Sequence, residues 1–156
     1  LALDGPPRAL AAARALADAT GHRAVELPPG GKAAYHCAAV LASNCLVALE
    51  STAERVMRSA GVPAGDAWAL LWPLVAGTLA NLPDGRFATS ITGPVPRGDA
   101  GTVARNLAAL ADDPGADAVY RVLGREALAL ARDGGLPDER AEAVASLLAD
   151  PAPVRR

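Results

Sequence analysis

The chain holds a single lysine, and its position raises the chemical question. Of 15 basic residues, Lys32 alone is not Arg. His36 follows it by four residues. On a helix that spacing sets the two side chains about 40° apart around the axis. Ser43 falls within about 20° of Lys32 on the same wheel, and Asn44 lies about 80° from His36. The rest of Ala33 to Leu49 carries no formal charge. A polar line of this kind, facing a cleft, can hold a carbonyl or hydroxyl and relay a proton. Lys32 would then be the acid, base or oxyanion partner, and His36 or Asn44 would orient the substrate. The same residues also describe a solvated lysine at a helix start, followed by a hydrogen-bonded core histidine. The Arg bias bears on the choice, because this chain otherwise writes its cations as Arg.

Arg97 lies in the turn-forming run Thr92-Gly93-Pro94-Val95-Pro96-Arg97-Gly98-Asp99. It can hold an anionic group or cap a neighbouring helix. As an adhesion tripeptide, Arg97-Gly98-Asp99 is a weak signal. His22, after Gly21, reads as a solvent-exposed turn residue. Trp68 and Trp72 share a helical face and read as core or interface packing. Asp112-Asp113 reads as a solvated helix end. The phosphate-cradling G-x-G-x-x-G is absent, as are G-x-x-x-x-G-K-S/T and G-x-S-x-G. No Cys/His pattern has zinc spacing. Cys37 and Cys45 on one helix would sit about 12 Å apart along the axis, too far for a disulfide. That reads as a reducing, cytoplasmic setting.

The elements that must position these residues follow from breaks and periodicity. Residues 1–30 read as strand end, helix, strand: Pro6 and Pro7 suit a first helical turn, Gly21 suits the position after the last, and 24–27 is a short strand. One such unit cannot stand as a sheet alone, so it reads as the end of a parallel sheet from a longer protein. Pro28-Pro29-Gly30-Gly31 is a break. Residues 32–59 read as one long helix closed by Gly61. Pro63 opens a second, kinked at Pro73. Ala67 to Pro83 is also free of formal charge. Each uncharged stretch is at the lower edge of membrane-spanning length, but internal polar and helix-breaking residues favour burial in a core or an oligomer interface. A loop over 83–99 and helices over about 100–111, 115–133 and 138–149 complete the chain, with Asp99 as an N-cap and Pro151 to Arg156 frayed.

Composition agrees. The 156 residues include 38 Ala and 21 Leu, with 3% aromatic residues and a net charge of −2. These are helix formers, so the fold class is mainly α. No basic stripe supports nucleic-acid binding.

Two signatures carry a resemblance. Lys32-Ala33-Ala34-Tyr35-His36-Cys37 through Ser43-Asn44 resembles the helix opening of the "Rossmann-like and domain of unknown function 2520" family. Ser90-Ile91-Thr92-Gly93-Pro94 through Asp99, with Thr102, Val103 and Leu107, resembles that family's second signature. Trp72-Pro73-Leu74 with Thr78 and Asn81 also fits, and the likeness covers about residues 1–130. The family is similar in architecture to pyrroline-5-carboxylate reductase, ketopantoate reductase and the β-hydroxyacid dehydrogenases.

The resemblance implies a helical bundle of the 6-phosphogluconate dehydrogenase C-terminal-like type (31–150), preceded by the last α/β unit of a Rossmann domain (1–30). It implies an NAD(P)-dependent oxidoreductase acting on a small carbonyl, imine or alcohol, with NADP or NAD bound mainly by residues N-terminal to this chain. Lys32 and His36 would be catalytic, and Ser43, Asn44 and Arg97 would bind substrate. The expected partners are a second copy, joined through residues 33–82, and a small-molecule substrate, with no nucleic acid and no membrane. In β-hydroxyacid dehydrogenases an Asn stands four residues after the Lys. Here that position holds His36, which departs from the hydroxyacid pattern. The alternative function is a non-catalytic dimerisation or nucleotide-sensing module.

Overall fold

Two proline–glycine breaks and a set of helix caps divide the chain. The computed structural model describes residues 1–82 and 85–150. Pro83, Asp84 and the frayed end expected over Pro151 to Arg156 lie outside the described residues. Among the described residues there are eight helices and two short strands, so the protein is mainly helical. By packing it divides into two units, Leu1–Glu50 and Ser51 onward.

The first unit opens with β1 (Ala2–Leu3), α1 (Pro7–Ala19) and β2 (Val25–Glu26). The strands pair in parallel, Ala2 with Val25 and Leu3 with Glu26. A parallel pair needs a crossover, and α1 supplies it, burying Ala17 as β1 buries Leu3. The helix ends as its sequence requires. Gly21 takes φ +70°, the His22 N–H donates to the Ala17 carbonyl at 2.9 Å, and the Gly21 N–H donates to Asp18 at 3.1 Å. This pair of bonds is a Schellman cap. After β2, the Gly31 N–H donates to the Pro28 carbonyl at 2.8 Å. A Cβ at Gly31 would come within 2.9 Å of that same oxygen, so this tight turn, which fixes where α2 starts, requires glycine.

The expected single helix over 32–59 is two helices, α2 (Lys32–Ala42) and α3 (Asn44–Ser59). They meet at Ser43, whose φ −121° and ψ −71° leave the helical region. The Ser43 N–H still donates to Ala39, and its carbonyl still accepts from Val47. Three consecutive residues of modest helix propensity, Ser43-Asn44-Cys45, stand at this joint.

In the second unit, α4 (Ala64–Ala80) begins after Pro63 and runs through Pro73. The expected loop over 83–99 contains a four-residue helix, α5 (Phe87–Ser90). Next come α6 (Ala100–Ala109), α7 (Pro114–Asp133) and α8 (Asp138–Leu148). Both α6 and α7 pack on α8, and α5 packs on α7. Val95, Val103, Leu128, Ala141, Val144 and Leu148 form the core of this bundle. Gly124 admits the close approach of α8, because a Cβ there would meet the Leu148 side chain at 2.7 Å. Arg121 donates to the carbonyls of Leu147 and Ala149, and Arg125 to that of Leu148. These bonds serve last-turn carbonyls that the helix cannot satisfy itself.

Candidate functional site

Lys32 is the first residue of α2, delivered there by the Gly30-Gly31 turn. It is exposed, and its ammonium makes no hydrogen bond or ion pair among the described residues. A cation at a helix N-terminus opposes the macrodipole, and α2 has no acidic residue in its first turn to offset it. Lys32 therefore does not stabilise its helix. His36, one turn on, is also exposed, and its ring makes no hydrogen bond among the described residues, which removes the core-histidine reading.

The joint at Ser43 changes the rest of the line. Lys32 and His36 share α2, but Asn44 belongs to α3 and Ser43 is the joint itself. The wheel angles drawn for Ser43 and Asn44 assumed a straight helix and no longer hold. Both side chains are exposed. Tyr35, which the polar line passed over, is half exposed. It stands three residues after Lys32, a spacing that places it on the neighbouring face, and it adds a phenol to the groups at the start of α2.

Arg97 is exposed in the second unit, in a turn closed by the Gly98 N–H on Val95 and the Asp99 N–H on Pro94. Gly98 has φ +65°, and a Cβ there would meet Arg140 at 2.6 Å, so the turn requires glycine. The helix-cap role belongs to Asp99, whose carboxylate accepts from the Thr102 N–H at 2.9 Å and the Thr102 hydroxyl at 2.7 Å. Those bonds, led by the hydroxyl, hold the Asp99 carboxyl below its usual range, with Arg105 and Arg97 adding to the effect. An aspartate so engaged also weakens the adhesion-tripeptide reading.

Asp113 corrects the solvated-end expectation. It caps α7 by accepting from the Ala116 N–H at 3.0 Å and pairs with Arg55. The Ala116 bond first, then Arg55, lowers its carboxyl. His22 is exposed, as expected, with Nδ1 3.0 Å from the Thr20 hydroxyl. Cys37 and Cys45 are free thiols.

Of the two places expected for the uncharged helices and the Trp pair, a core or an oligomer interface, the core of this chain is not where they lie. Neither α2 nor α3 buries a residue, and α4 buries only Ala67. Trp68 and Trp72 are 40% and 53% exposed, so they are not core, and their rings pack at a tilt of 48° with centroids 5.9 Å apart. Leu70 and Leu74 are exposed as well. At 100° per residue they face away from the Trp pair, so α4 shows apolar side chains on two opposed sides. By length and composition alone, Lys32–Ser59 is long and apolar enough to cross a membrane. Its second half carries Glu50, Glu54, Arg55 and Arg58.

A shallow apolar depression lies elsewhere, lined by Phe87, Ala88, Thr89 and Leu130 among others, and holds none of the expected site residues. No metal-binding cluster occurs among the described residues.

The family described as a domain of unknown function (DUF2520) matches residues 1–127. The chain belongs to that family. The matched span takes in both the Lys32 and the Arg97 segments. It ends inside α7 and leaves out α8, although α8 supplies Ala141, Val144 and Leu148 to the DUF2520 chain's core. No curated protein and no solved structure matches the chain.

Proposed function

We propose that this DUF2520 chain is the substrate-binding and dimerisation part of an NAD(P)-dependent oxidoreductase acting on a small carbonyl, imine or alcohol. The observation that carries this reading is Lys32: a lone lysine at the start of an apolar helix, unpaired among the described residues and set against the helix dipole. Its ammonium donates to the substrate heteroatom, stabilising charge where it develops, and can pass it a proton. His36 orients the substrate from the next turn. Ser43 and Asn44 add hydrogen bonds from the joint. In this reading β1–α1–β2 is the last α/β unit of a Rossmann domain, and the remaining helices are a bundle of the 6-phosphogluconate dehydrogenase C-terminal-like type.

The residues present do not fit a dinucleotide pyrophosphate. The Gly-rich cradle is absent, and α1 begins at Pro6-Pro7, where neither residue has an N–H to offer a phosphate. Binding of NADP or NAD is therefore assigned to no residue of this chain. Calorimetry of NADPH against residues 1–156 should give no binding heat, and tight binding would overturn the assignment.

A second copy of the chain is the proposed partner, through residues 33–82. A helix whose uncharged run from Ala67 exposes apolar side chains on two opposed sides fits a surface like itself. The alternative is a non-catalytic dimerisation or nucleotide-sensing module, favoured by the absence of any described group that orients Lys32 or His36. The two readings separate in a protein that carries these residues together with a dinucleotide site. Assay it for NAD(P)H oxidation against small ketones, cyclic imines and oxoacids. Turnover that collapses in Lys32→Arg supports catalysis; turnover unchanged by that substitution supports the module.

A further inference from the structure

We draw no further inference here: the strongest candidate, the exposed apolar surface of α4 around the Trp68–Trp72 pair, is the surface already given to a second copy of the chain, and nothing in the structure shows what else covers it.

Discussion

The bundle of α6, α7 and α8 and the helices α2 to α4 are both rich in Ala and Leu, yet they treat their apolar side chains in opposite ways. The bundle buries Val103, Val144 and Leu148 completely, caps α6 and α7 with aspartates and ties its last carbonyls to Arg121 and Arg125. Helix α4 exposes Trp72, Leu70 and Leu74 by more than half. Ala and Leu content does not distinguish these regions, but charge separates α4 from α7: α4 carries only Asp66, whereas α7 carries six charged residues. Helices α7 and α8 carry charged residues beside those they bury, although Val122 and Leu123 of α7 remain exposed. The uncharged run of α4 has no face suited to water. One region buries its apolar side chains against its own helices, and the other leaves them exposed, which the proposed second copy would cover.

The sharpest test of that contrast is a pair of truncations. Leu148→Ala should destabilise by about 2–5 kcal/mol, as for a fully buried leucine, read from urea unfolding. Leu74→Ala should leave the unfolding of the separated chain within about 0.5 kcal/mol and matter only through assembly. Equal losses at the two sites would erase the contrast.

Lys32 belongs to the uncovered region and stabilises nothing there. Lys32→Arg should move stability by no more than about 0.5 kcal/mol and, under the proposed catalytic role, cut turnover by about 100-fold or more in a protein that also carries a dinucleotide site, the scale of a lost acid/base group. Arg keeps the charge but cannot release a proton, so a charge-only role would survive the change. A melting curve paired with a steady-state rate separates the outcomes.

Trp72→Ala should weaken self-association by about 2 kcal/mol, about 30-fold in Kd, if the Trp pair anchors the interface. Sedimentation across a dilution series measures it. An unchanged Kd would move the interface off α4.

The smallest effect lies in the caps. Asp99 and Asp113 have carboxyls held below the ordinary 3.8 in the fold. Their contribution is therefore present above that value and is lost as pH falls through the lowered ones. Asn at either site keeps a capping oxygen, so Asp99→Asn and Asp113→Asn should melt like the parent at pH 7 and lose less on acidification to pH 2. An unchanged acid limb in both variants would contradict this.

Much of the fold was legible because its signals are local. Pro6-Pro7 and Gly21 bracket α1, Asp99 opens α6, and Pro28 to Gly31 mark the turn before Lys32. What escaped was non-local or short. The joint at Ser43 has no Gly or Pro and keeps hydrogen bonds on both sides, so periodicity ran through it and misplaced Ser43 and Asn44. The four residues of α5 are too few to show a period. Asp113 looked solvated because Arg55, its partner, lies 58 residues away in sequence. Of the candidate site, only the helical spacing of Lys32 and His36 was legible, and α2 preserves it. An uncharged apolar run signals that a helix needs cover, but not which surface supplies it, so the sequence left open whether α4 lies in a core or at an interface.

The most direct test of the contrast is the mass of the chain in solution. Light scattering at micromolar concentration should give about twice the 15.7 kDa of one chain, with Trp72→Ala shifting toward a single chain. A stable species of one-chain mass, unchanged on concentration, would contradict the claim that α4 is covered by a second copy.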